Sequence, residues 1–193
     1  MRSDAAAAHS LECRYARGAL GCAAVGGVGL RIGPLRVDRS DRGDVIAFAG
    51  RPDAEREGEE FDSVRYRALG YECFETSTLE RWPLLPKGPY CRTVFLVNVK
   101  TGKLGNLFTS SAAYVEPHGV GPGMREAVAE HLLHRKLTEG CEENFYFDSR
   151  AAALTVAFAG GATSRGTGHV RGAHVFALVL HGRHSDVGVF DCL

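Results

Sequence analysis

Glu139-Gly140-Cys141 and, forty positions after the cysteine, His181-Gly182-Arg183-His184 at the end of an apolar run are the residues best suited to chemistry in this chain. One thiolate and two imidazoles can hold a divalent metal and leave its fourth position open, as hydrolytic metal sites do. Gly140 lets the backbone approach a ligand closely, and Glu139 sets a carboxylate beside the cysteine that can accept a hydrogen bond from a bound group. His181 and His184 lie three apart, so on a helix they share a face and both point at one ion. Plainer readings use the same residues: a buried thiol acting as a small hydrophobe, and two histidines facing solvent in a polar C-terminal turn.

The elements that must position these groups are read from apolar runs and breakers. Val175–Leu180 is a continuous apolar run that suits a buried strand as well as a buried helix. Ala151–Ala159 reads as a strand, and the glycine-rich segment 160–172 turns the chain. Met124–Thr138 is expected to be a helix, preceded by Pro122-Gly123 and closed by Gly140. Arg92–Val99 is the clearest strand, with Lys100-Thr101-Gly102-Lys103 as a hairpin turn into Leu104–Thr109. Upstream, the segments 31–37 and 45–49 are expected as two strands joined by a polar turn at 38–44. Arg51–Glu60 is almost entirely charged and reads as a solvated loop. Strands and helices without a regular alternation point to an α+β fold.

The chain of 193 residues allows one substantial domain, with residues 1–24 expected to be poorly ordered. Lys plus Arg equals Asp plus Glu at 23 each, so no basic excess is present to collect phosphate, and nucleic acid is not expected as a partner. The apolar runs are too short to span a bilayer, so no membrane partner is expected either. The six cysteines are scattered without a repeating interval, which suggests free thiols in a reducing, intracellular compartment. The first 26 residues, rich in Ala, Gly and Arg, faintly resemble an organellar transit peptide, so cytoplasm and organelle (mitochondrion or plastid) both stay open.

Three further motifs have bland readings. His131 and His134, with Glu126 and Glu130 nearby, read as an exposed helix surface with charge pairs before a second metal face. The segment 165–169 lacks the strand–loop–helix context of a phosphate loop and is expected as a hairpin turn. The hydroxyl clusters at 76–78 and 109–111 have no spaced partner base and read as turn or cap residues.

Ala177-Leu-Val-Leu-His181-Gly-Arg-His184-Ser-Asp-Val-Gly188-Val-Phe190 resembles the third motif of peptide deformylases, Q-H-E-x-D-H-L-x-G-x-L-F. Glu139-Gly140-Cys141 is similar to their second motif, E-G-C-[LE]-S. The segment with Gly27, Gly29 and Leu30 is similar to the first, G-x-G-[LI]-[AS]-A-x-Q. The likeness covers about residues 137–193, and 24–37 more loosely, which leaves about 38–138 as a divergent insertion. The resemblance implies a single deformylase-like domain of small antiparallel or mixed sheets around a metal-bearing helix. It implies Fe²⁺ or Zn²⁺ held by Cys141, His181 and His184, with Gly27, Gly29, Leu30 and Gly140 at the substrate. The substrate would be N-formylmethionyl nascent peptides.

The departures from the family pattern bear on catalysis. Gly182 stands where the family carries the glutamate that handles the proton of metal-bound water, and general acid–base help is worth roughly 10²–10⁴ in rate. The histidine interval is one residue shorter, which turns the second ligand by about 100° on a helix. Motif one lacks its glutamine, an oxyanion donor worth on the order of 3 kcal/mol. Two functions are therefore expected in competition: an impaired metal-dependent deformylase, or a non-catalytic binding protein with a structural or vestigial metal whose segment 38–138 receives a protein partner.

Overall fold

The computed structural model describes residues 23–26, 31–61, 64–74, 90–134, 145–149, 154–159, 162–163 and 170–180. Within them the fold is α+β, with mostly antiparallel sheets and two helices. Strands β1 (Ala23–Gly26), β2 (Arg31–Ile32) and β3 (Leu35–Arg36) precede helix α1 (Arg42–Ala49). Strands β4 (Ala54–Phe61), β5 (Val64–Phe74), β6 (Tyr90–Asn98), β7 (Leu104–Thr109) and β8 (Tyr114–Val115) follow, then helix α2 (Glu126–Leu133). The chain ends its described part with β9 (Phe145–Ser149), β10 (Leu154–Ala159), the short pair β11 (Ala162–Thr163) and β12 (Val170–Arg171), and β13 (His174–Leu180).

Seven strands form one antiparallel sheet in the order β4-β5-β6-β7-β13-β10-β9. A smaller sheet runs β3-β2-β1-β8, in which β1 and β8 are parallel. Residues within 38–138 supply β4–β8 and both helices, including four of the seven strands of the large sheet. The ambiguous run before His181 is β13, a strand hydrogen-bonded on both sides, to β7 and to β10. A strand covered on both faces reads as an unbroken apolar run, which is why its period was silent. Leu178 and Leu180 join the main core with Leu69, Phe95 and Leu107, while Ala177 and Val179 pack with Phe108 in a separate cluster. The hairpin β6–β7 forms as expected, turned by Asn98, whose Oδ1 accepts from Lys100 N at 2.8 Å and Thr101 N at 3.0 Å.

Three expectations are corrected. The segment 45–49 belongs to a helix, α1, because Asp41 and Asp44 form a capping box: Asp44 N donates to Asp41 Oδ1 at 3.1 Å and Asp41 N to Asp44 Oδ2 at 3.0 Å. The charged segment 51–60 is largely strand β4 rather than a loop. It sits at the edge of the sheet, where charged side chains are tolerated and discourage further pairing, and it is bulged at Gly58. The second helix ends at Leu133, because His134 adopts a left-handed conformation (φ 51°) and closes the last turn with its own amide. Residues 135–140, including the expected stop at Gly140, lie outside the described residues.

Tyr71 fastens α1 to the sheet. Its hydroxyl donates to the carbonyl of Gly50 at 3.1 Å, its ring meets Phe95 edge-on at 5.6 Å, and burial pushes its phenol up to about 12, so it stays a donor. The loop after β8 is organised by Glu116, whose carboxylate is 3% exposed and accepts from His118 N at 2.8 Å and Val120 N at 3.0 Å. That loop is stitched to the start of β13 through Gly123 N to Val175 O and Val175 N to Met124 O, both 2.7 Å. Replacing Glu116 with Ala leaves the buried Val120 amide and the part-buried His118 amide without their acceptor and should lower the unfolding free energy by about 3 kcal/mol. Denaturant titration measures this, and a loss below about 1 kcal/mol would show that water takes over the amides.

Candidate functional site

Strand β4 carries Glu55 and Glu57 on the same side, and the register sets Glu57 directly opposite Arg67 of β5. Arg42, at the first position of α1, reaches the Glu55 carboxylate. Its Nε and Nη2 engage Glu55 Oε1 and Oε2 at 2.9 and 2.7 Å, a two-point contact. Arg67 bonds Glu57 through its Nη2 and approaches Glu55 Oε1 with its Nε at 3.6 Å. Lys103 Nζ lies 3.9 Å from Asp41 Oδ2. Together Asp41, Arg42, Glu57, Arg67 and Asn98 line a cleft of about 250 Å³, floored by Val97 and closed by the β6–β7 turn.

The pairing moves every shifted group in this array away from neutrality. The hydrogen bonds from Arg42 hold the Glu55 carboxyl below its usual range, and those from Arg67 do the same for Glu57. Glu55 in turn raises Arg42. These groups keep their charge across the physiological range, which suits holding charged partners rather than trading protons. A carboxyl whose folded value is depressed adds stability above its unfolded value and loses it as pH falls through the folded one. Stability should therefore decline on acidification below about pH 4.3. The Glu55→Gln variant should show a shallower acid limb and, near pH 7, a loss of at most about 1 kcal/mol. Urea midpoints measured from pH 7 to pH 2.5 test both, and parallel acid limbs would remove Glu55 from the account.

The sequence-predicted site residues Gly27, Gly29, Leu30, Glu139, Gly140, Cys141, His181, Gly182 and His184 lie outside the described residues. The strands that anchor them do not. Phe158 of β10 stands opposite both Phe145 and Val175, whereas Leu154 stands opposite both Ser149 and Leu180. The start of β9, four residues after Cys141, is thus level with the start of β13, and His181 leaves from the other end. Five residues separate these levels along β13, about 17 Å at about 3.4 Å per residue. Among the described residues no group of three metal-ligating side chains converges, and His131 and His134 form a tilted ring pair at 6.4 Å on an exposed helix face.

No family model matches this chain, and no curated protein matches it. A solved structure similar to it is that of the uncharacterized protein yfeY from Escherichia coli, with 14% identity and a TM-score of 0.48, covering 83% of this chain and 99% of that one. The resemblance to peptide deformylases is corrected on these findings: the structural likeness is to an uncharacterized protein and not to a deformylase. Among the described residues no helix is long and apolar enough to cross a membrane.

Two of the scattered cysteines are also corrected. Cys73 and Cys91 are joined by a disulfide, against the expectation of free thiols. Eighteen residues part them in sequence, and only the β5–β6 register brings them face to face. The charged cleft was missed because its carboxylates sit in the segment read as a loop. The alternation of Glu55, Arg56 and Glu57 beside Arg65 and Arg67 was the signal available.

Proposed function

We propose that this protein is a non-catalytic binding protein that receives a polypeptide segment of mixed charge in the cleft between α1, β4 and the β6–β7 turn. What supports this reading is the ion-pair array of Arg42, Glu55, Arg67 and Glu57, in which Arg42, Glu55 and Glu57 are held in their charged forms and Arg42, Arg67 and Glu57 line the cleft with both signs of charge. An incoming segment with both signs of charge exchanges partners with this array without leaving a charge unpaired, and the order of signs sets its direction. Charge-exchange binding of this kind is weakened by salt. Titration of the full chain with synthetic ten-residue peptides, one of alternating Lys and Glu, one of Lys only and one of Glu only, tests it. The alternating peptide should shift the Nε–H signals of Arg42 and Arg67 and the Asn98 amide. Arg67→Ala should weaken it about ten-fold, as should raising salt from 0.05 to 0.5 M. Signals that move equally with all three peptides, or not at all at millimolar concentration, would remove the cleft as the binding surface.

A divalent ion on Cys141, His181 and His184 is a separate proposal that rests on ligand chemistry alone, with Fe²⁺ or Zn²⁺ suited to one thiolate and two imidazoles. Purified protein should then carry about one Fe or Zn per chain, and Cys141→Ser should lose it while unfolding at the same denaturant concentration in the presence of chelator. Metal-free protein with unchanged stability would end that proposal.

A further inference from the structure

The disulfide Cys73–Cys91 is built unlike a passive staple. The two cysteines stand directly opposite in the antiparallel pair β5–β6, with Cα atoms 3.9 Å apart. Between Tyr71 and Cys73 the chain passes through Glu72 at φ 55°, a left-handed conformation that is costly for a residue with a Cβ. Residues two apart on a regular strand share a face. Here they do not: Tyr71 packs in the main core, whereas Cys73 packs with Cys91 and Ala68 in the cluster on the opposite side. The left-handed turn at Glu72 is what swings Cys73 across to its partner. Gly70 supplies the recess that receives the sulfurs, since a Cβ there would lie 2.5 Å from Cys91 Sγ and 3.0 Å from Cys73 Sγ.

We propose that Cys73 and Cys91 form a reversible redox clasp, opened by a thiol-class reductant, which sets the conformation of the strand ends that carry Phe74, Tyr90 and Arg92. Cys91 is 2% exposed and Cys73 partly exposed, which directs attack to Cys73. A reductant thiolate attacks Cys73 Sγ, the S–S bond breaks, and Cys91 leaves as a thiolate that takes a proton from solvent. A second thiol of the reductant then attacks its own sulfur in the mixed disulfide and expels Cys73, so that two electrons pass to the clasp and the reductant ends as a disulfide. Opening releases Glu72 to return to extended backbone, and the free energy held at that residue favours the open form. Glu72 also accepts from Ser111 Oγ at 2.9 Å, and Asp53 Oδ2 accepts from Cys73 N at 3.1 Å, so both contacts are set by the clasp. Beyond it Phe74, 44% exposed, lies 5.1 Å from the Tyr90 ring, with the Arg92 guanidinium 5.7 Å from its own ring centre. These groups ride on the two freed strand ends.

The test is equilibration of the full chain in glutathione buffers of graded ratio and with a reduced dithiol protein of the thioredoxin class. Differential alkylation and mass spectrometry follow Cys73 and Cys91, while amide signals of β10 and β13 report the global fold. The bond should open reversibly with those amides unchanged and with the Phe74 and Tyr90 ring signals moved. Glu72→Gly removes the cost of the left-handed conformation and should shift the equilibrium toward the disulfide by about five-fold or more. Ser111→Ala, which loses the same hydrogen bond without touching residue 72, should change it by less than about two-fold. The proposal is overturned by a bond that stays closed under the dithiol protein, by loss of the β10 and β13 signals at the ratio where the bond opens, or by a Glu72→Gly equilibrium equal to wild type.

Discussion

The ladder between β5 and β6, unbroken in register from Tyr66 opposite Asn98 to Phe74 opposite Tyr90, is the interaction on which the remaining structure hangs. Both strands are buried on both faces through their middles, with Leu69 and Phe95 at zero exposure on one side and Ala68 and Val94 within 1% of it on the other. A backbone so placed has no water to satisfy its amides and carbonyls, so each strand needs the other for the partners along their shared edge, as it needs β4 or β7 along its outer one. Everything else is attached to that pair. β4 leans on β5 and brings its glutamates to Arg67, β7 leans on β6 and passes the sheet on to β13, and Tyr71 draws α1 down by its carbonyl end.

How much of this the sequence disclosed depends on whether the deciding force was local. The hairpin at 98–104 was legible because the strand propensity of Thr-Val-Phe-Leu-Val and the Gly102 turn act within a few residues. The core of α2 was legible for the same reason. The helix α1 was hidden by its own apolar letters: Val-Ile-Ala-Phe-Ala looks like a strand, and the capping aspartates just upstream, which decide the matter, have to be weighed against it. β4 was hidden in the opposite way. Its letters are those of a solvated loop, and it is a strand because β5 offers a free edge and because Arg42 and Arg67 neutralise two of its glutamates. Neither fact is local.

The candidate site follows the same division. A cysteine and two histidines stand out by letter, and residue chemistry alone proposes a metal for them. Their spacing along the chain carried no information about the sheet beside them, where β9 and β13 run in the same direction on either side of β10, so that the start of β9 and the end of β13 lie at different ends. The cleft is the reverse case. Its residues are among the commonest surface types, and only the register of Glu57 on Arg67 and the placement of Arg42 at the head of a helix turn them into an ordered array.

The recess at Gly70 has a consequence for how this chain can vary. With both sulfurs in place, no side chain fits at position 70; the nearest obstacle is Cys91 Sγ, 2.5 Å from where a Cβ would stand, with Cys73 Sγ at 3.0 Å, so the recess opens only when the crosslink is lost and Cys91 itself gives way. Positions 70, 73 and 91 thus form one heritable unit. A drift from Gly at position 70 is open only to lineages that have first given up the crosslink, and a lineage that has filled the recess cannot regain it by restoring the two cysteines alone.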